Sequence, residues 1–168
     1  MFESRPLAGS KADVYRELLA QARGLLADEP DRVALAANFA ALVYHALPEL
    51  NWAGFYFFDG VELVVGPFQG KPACVRIALG RGVCGTAAVT RRTQLVADVH
   101  AFPGHIACDA ASRSEIVVPL FAGDRLIGVW DVDSPVVERF DHEDQTGMEA
   151  LCREFMQALY PQLREMAA

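Results

Sequence analysis

No two of the four cysteines in the 168-residue chain form a C-x-x-C pair, which weakens a structural zinc reading at once. No apolar run approaches the roughly 18 residues of a membrane span, and Met1 to Ser10 lack the basic-then-apolar pattern of a secretory signal. Basic residues are also scarce: 15 Lys and Arg against 22 Asp and Glu leave a formal net charge of −7. A nucleic-acid backbone and an anionic membrane both require a basic surface, so neither is expected as a partner. A small molecule or another protein fits better. The glycines around Gly80 to Gly85 lack the spacing of a dinucleotide fingerprint and the lysine of a P-loop, so no cofactor is expected. Repeats and linkers are missing too. A cytoplasmic location is expected, and there cysteines are reactive or metal-bound more often than disulfide-bonded.

What is present reads as one domain over residues 1–168, with 52% hydrophobic and 22% charged residues, long enough to bury a core without staples. Residues 1–48 hold two helices. Ser10 caps the first, whose apolar face is Val14, Leu18, Leu19, Ala22, Leu25 and Leu26; Asp28-Glu29-Pro30 breaks it. Asp31 caps the second, with Leu35, Phe39, Leu42, Val43 and Ala46 inward, ending before Pro48. Residues 51–133 carry the sheet and its loops. Asn51 to Phe58 and Val61 to Val65 flank an Asp59-Gly60 turn, Pro67 to Pro72 reads as a loop, and Cys74 to Leu79 as a third strand. Gly80 to Gly85 reads as a glycine-rich turn before a helix from Thr86 to Thr90. Thr93 to Ala97, Ile116 to Phe121 and Arg125 to Asp133 are further strands. Asp141 caps a closing helix over 141–165, with Met148, Leu151, Cys152, Phe155, Leu159 and Leu163 as its core stripe. The order predicts an α+β fold around an antiparallel sheet.

The chemistry concentrates in loops. Cys108 lies in a long irregular segment, 98–113, flanked by Asp109 and preceded by His105, and a cation such as His105 or Arg113 would favour its thiolate. Cys74 and Cys84 lie upstream in loop-like surroundings and offer two resolving thiols. Asp131 and Asp133 alternate onto one strand face, and Glu115 opens the adjacent strand; like charges that close keep a carboxyl protonated near neutral pH. Trp52, Gly54 and Tyr56 share a face of the first strand, where Trp52 is either an aromatic wall or ordinary core. His100 and His105 with the three cysteines compose an alternative zinc set.

The segments Asn51-Trp52-Ala53-Gly54-Phe55-Tyr56, Gly66-Pro67-Phe68-Gln69-Gly70-Lys71, Gly82-Val83-Cys84-Gly85-Thr86, Gly104-His105-Ile106-Ala107-Cys108-Asp109, Ser114-Glu115-Ile116-Val117 and Asp131-Val132-Asp133-Ser134 closely resemble the free methionine-(R)-sulfoxide reductases. That resemblance implies a GAF-like antiparallel sheet flanked by helices, with a closed small-molecule pocket. It implies Cys108 as nucleophile, Cys84 and Cys74 as recycling thiols, and Glu115, Asp131 and Asp133 around the substrate. It also implies Trp52 against the substrate methyl group, and Tyr56 on the same face is expected to line the pocket. The implied partners are free methionine-R-sulfoxide and thioredoxin or a similar dithiol, and the N-terminal helices offer a surface for a homodimer. Most GAF domains are sensory modules, so a non-catalytic ligand-binding domain is the rival expectation.

Overall fold

A computed structural model describes residues 7–105 and 109–165. Its centre is a six-stranded antiparallel sheet in the order β3-β2-β1-β6-β5-β4. The strands are β1 (Trp52–Phe58), β2 (Leu63–Gly70), β3 (Arg76–Ile77), β4 (Gln94–Val96), β5 (Ser114–Ala122) and β6 (Arg125–Ser134). The helices are α1 (Lys11–Leu26), α2 (Arg32–Ala46), α3 (Gly82–Thr90), α4 (His142–Leu159) and the short α5 (Gln162–Glu165). No helix among the described residues is long and apolar enough to cross a membrane.

Local chemistry accounts for the helix starts. The Ser10 hydroxyl accepts from Asp13 N, and the Asp13 carboxylate answers at Ser10 N, a reciprocal cap that satisfies two exposed donors. Asp31 accepts from Ala34 N at 2.8 Å, and Asp141 forms a second reciprocal cap with Asp144. Asp144 reaches further. Fully buried, it accepts from Tyr15 Oη of α1 at 2.8 Å and from Lys11 Nζ at 2.7 Å, and Arg139 Nη1 lies 3.3 Å away. This one carboxylate ties the first helix to the fourth. Asp144→Ala would leave the buried Tyr15 hydroxyl without its acceptor and the Arg139 guanidinium with only Pro48 O and Glu49, so a loss of about 3 kcal/mol in urea unfolding is expected; a loss below about 1 kcal/mol would mean that the tie is not structural.

The sheet separates two apolar clusters. On one face Phe55, Trp130, Val132, Ile116 and Val118 meet α1, α2 and α4, with Phe55, Phe39, Trp130 and Phe155 packed ring on ring at 4.5–5.5 Å. Cys152 is buried in this cluster, as its helical position predicts. On the other face Trp52, Tyr56, Val117 and Val129 meet α3 and the loops around it.

Several boundaries differ from the sequence reading. The Pro67 to Pro72 loop is largely strand: β2 runs to Gly70 because Gly54 pairs with Phe68 and Tyr56 with Val65. Gly66 and Pro67 thus oppose the single residue Phe55, a β-bulge that tolerates a proline with no N–H to donate. The third strand shrinks to Arg76–Ile77, and Cys74 lies in the connection before it. Arg76 there reaches Asp59 and Glu62, each at 2.9 Å. Helix α3 starts at Gly82, which takes a φ of 59° open to glycine, so Cys84 sits in the first helical turn. The closing helix stops at Leu159, because Pro161 drives Tyr160 out of the helical region, and α5 follows as a separate turn.

Candidate active site

Alternation along three neighbouring strands decides which side chains share the α3 side of the sheet. Trp52 of β1 stands opposite Asp133 of β6, Gly54 opposite Asp131, and Tyr56 opposite Val129. Glu115 of β5 pairs with Asp133, and Val117 with Asp131. Directly opposed residues point to the same side. The cavity between them and α3, about 30 Å³, is lined by Trp52, Tyr56, Cys84, Glu115, Asp131 and Asp133, with room for roughly two waters. Seven of the eight residues singled out from the sequence have described positions, and six of these meet here. Cys74 is half-buried at the edge of the same apolar cluster without lining the cavity. Cys108 lies outside the described residues.

A glycine makes the aromatic wall possible. A Cβ on Gly54 would lie 2.7 Å from Trp52 Cη2 and 2.3 Å from Phe68 Cβ. Without it, the indole lies flat against Phe68 and Tyr56, with centroids 5.2 and 5.8 Å apart. Trp52 Nε1 donates to the Lys71 carbonyl at 3.2 Å, which fixes the ring's rotation. Trp52 is therefore both core and cavity wall.

The polar side of the cavity is unusual. Cys84 Sγ donates to Asp131 Oδ2 at 3.4 Å, and both groups are buried. Burial, reinforced by Asp131, pushes the Cys84 thiol well above its ordinary range. Burial raises Asp131 to about 7, although hydrogen bonds with Cys84 and Glu115 pull the other way. Glu115 and Asp133 are also raised well above theirs, first by burial and then by Asp131. Low polarity disfavours each charge, and every ionisation makes the next harder. Each carboxyl thus keeps its proton to a higher pH than an exposed acid would, beside a thiol.

His105 lines the same cavity, with Nε2 3.7 Å from Glu115 Oε2. Burial lowers its pKa and raises that of Glu115, so both shifts favour the uncharged forms of the pair. The expected role of His105 toward Cys108 concerns a residue outside the described ones. Arg113 faces Asp98 at 3.5 Å. Among the described residues, the group able to share one metal ion is Cys84, Glu115 and Asp131; the alternative set of His100, His105 and three cysteines includes Cys108, which lies outside those residues.

Asn51, Lys71, Asp109 and Ser112 were not singled out as site residues, yet they anchor one wall. Asn51 Nδ2 donates to Ser112 Oγ at 2.9 Å and to Asp109 Oδ2 at 3.3 Å, and Lys71 Nζ lies 3.2 Å from Asp109 Oδ1. The residue after Cys108 is thereby fastened to the start of β1 and to the end of β2. The one local signal was the Asp109 side chain accepting from Ala111 N at 2.9 Å, an Asx turn suited to the run Asp109-Ala110-Ala111-Ser112.

Comparison with known proteins places this arrangement. Residues 12–159 match the GAF domain family. The free methionine-R-sulfoxide reductase of Escherichia coli K12 is 49% identical over 150 residues, 89% of this chain and 91% of that protein. The X-ray structure of free methionine-R-sulfoxide reductase from Neisseria meningitidis in complex with its substrate is 44% identical and superimposes with a TM-score of 0.92 over 100% of both chains. A protein from Burkholderia vietnamiensis described as a GAF sensor is 73% identical, with a TM-score of 0.89 over 93% of this chain and 99% of that one. A cavity joining a buried thiol to three carboxyls under a tryptophan, on a sheet shared end to end with such relatives, makes this chain a member of the GAF domain family and, within it, of the free methionine-R-sulfoxide reductases.

Proposed function

We propose that the protein reduces free methionine-(R)-sulfoxide to methionine, with Cys108 as nucleophile. The observation that carries this reading is the Cys84 thiol hydrogen-bonded to a carboxyl raised to about 7, inside a cavity with two further acids and Trp52. The Cys108 thiolate attacks the sulfoxide sulfur, and a protonated acid, Asp131 by position, delivers its proton to the departing oxygen. The S–O bond breaks, methionine leaves reduced by two electrons, and Cys108 carries the oxygen as a sulfenic acid. Asp131, now ionised, takes the Cys84 proton; the new thiolate attacks the Cys108 sulfur, and the hydroxyl leaves as water once protonated. Cys74 is the second recycling thiol. Thioredoxin or a similar dithiol then reduces the disulfide by exchange, which requires a reducing compartment such as the cytoplasm.

The acids give the pocket its selectivity. One ionised carboxylate among three suffices to hold a substrate ammonium, and a peptide-bound residue has none to offer. Trp52 supplies a flat apolar wall for the methyl group. The N-terminal helices are the surface through which two copies would pair.

A thioredoxin assay coupled to NADPH, run with each epimer, tests the reading. NADPH should be consumed with the free R-sulfoxide and not with the S-epimer or an N-acylated R-sulfoxide. The description of the Burkholderia relative favours a sensor instead. Tight binding of methionine with no NADPH oxidation would decide for that rival.

A further inference from the structure

The cavity's donor set suits a second occupant of different chemistry. One ligand atom each from Cys84, Glu115 and Asp131 lies within 4.8 Å of the others, and all three residues are buried. Cys84 Sγ and Asp131 Oδ2 are 3.4 Å apart. With Zn–S of about 2.3 Å and Zn–O of about 2.0 Å, a tetrahedral edge between sulfur and oxygen is about 3.5 Å. The pair already spans one edge of a zinc tetrahedron. An independent observation points the same way: Asp131 Oδ1 is buried and meets no hydrogen-bond donor among the described residues. Asp131 itself is 6% exposed and lines the cavity. An orphaned carboxylate oxygen that deep costs free energy unless something electropositive answers it. His105 Nε2 lies 3.7 Å from Glu115 Oε2 but outside the set of donor atoms that fall within 4.8 Å of one another, which leaves the fourth position to a water.

We propose that Cys84, Glu115 and Asp131, with a water in the fourth position, bind a divalent cation of the zinc class that competes with the substrate. One thiolate and two carboxylates form a borderline set that selects zinc or cobalt over magnesium or calcium, which prefer all-oxygen shells. The ion takes the place of the protons now held there, and those protons leave to solvent, so its affinity rises with pH. Bound, it covers the carboxyls that would meet a substrate ammonium and removes Cys84 from thiol exchange. The competitive consequence rests on the reductase reading; the binding itself does not.

Cobalt(II) is the probe, added anaerobically to the phosphine-reduced protein and followed by absorption and by equilibrium dialysis. One ion per chain is expected, with a thiolate-to-cobalt charge-transfer band and the intense visible bands of tetrahedral cobalt, both abolished by added zinc. Cys84→Ser should remove the charge-transfer band, and Glu115→Gln should weaken binding at least tenfold, with far-ultraviolet circular dichroism verifying that both variants fold. No stoichiometric uptake, or a charge-transfer band that survives Cys84→Ser, overturns the site. Free methionine should release the cobalt; failure to do so overturns the competition. A protein that reduces sulfoxide but takes up no cobalt loses this site and keeps the proposed activity, and one that binds cobalt but reduces neither epimer does the reverse.

Discussion

Replacing Cys108 with serine is expected to lower steady-state reduction of free methionine-(R)-sulfoxide by about three orders of magnitude or more, the scale on which loss of an enzymic nucleophile is felt. The reasoning runs through the other thiols. Attack needs a thiolate, and the Cys84 thiol is held protonated by burial and by Asp131. Cys152 lies in the apolar cluster on the opposite face, its thiol likewise raised by burial. Cys74 is half-buried and does not line the cavity. None of the three is placed to begin the reaction. Cys84→Ser should behave differently: close to one methionine per chain in a single burst, followed by slow or no cycling with thioredoxin, because the sulfenic acid forms but loses its resolving partner. The hydroxyl can keep the hydrogen bond to Asp131, so the cavity should stay intact. Rapid quench with methionine quantified per chain separates the two variants. Wild-type turnover in Cys108→Ser would remove the assignment outright.

The fold was legible where its signals are local. Ser10, Asp31 and Asp141 announce three helices because a short polar side chain before an apolar stripe has one efficient use. The alternation that sends Asp131 and Asp133 to one face also held, since a sheet buried on both faces allows no slip in register. What escaped was set by distant partners. Pro67 reads as a strand terminator until a bulge opposite Phe55 accommodates it. Gly82 and Gly85 read as a turn until α3 packs its first turn on the sheet, and that packing is what buries Cys84. The lowered pKa of His105 is a property of the assembled cavity and not of the motif. Asn51 and Lys71 become wall anchors only because the register brings the start of β1 and the end of β2 to Asp109. The resemblance named Glu115, Asp131 and Asp133 together, and the register supplies the physical reason they meet.

Raising the pH from about 5 to about 8 should destabilise the wild-type protein relative to an Asp131→Asn variant by about 3 kcal/mol. The sign follows from proton counting. Asp131 has an ordinary pKa of 3.8 and a folded value of about 7, so between those values the folded state holds more protons than the unfolded one. Stability then falls as pH rises, by about 1.4 kcal/mol per unit for a fully affected group, and the contribution is lost through the folded pKa. Glu115 and Asp133 are raised in the same direction and share the proton loss, which spreads the transition across several pH units. An asparagine cannot ionise, so its stability profile should be flatter and should cross above the wild type on the alkaline side. Reduction of the R-sulfoxide should fall about a hundredfold or more in the same variant, because the amide cannot hand a proton to the departing oxygen. Stability gained and activity lost at one position is the pattern of a group retained for chemistry at the fold's expense. Urea midpoints at four pH values, taken as variant minus wild type, cancel the histidines and exposed acids that titrate in both. Parallel profiles would mean that Asp131 is ionised in the folded protein throughout, and the upward shift of its carboxyl beside Cys84 would have to be given up.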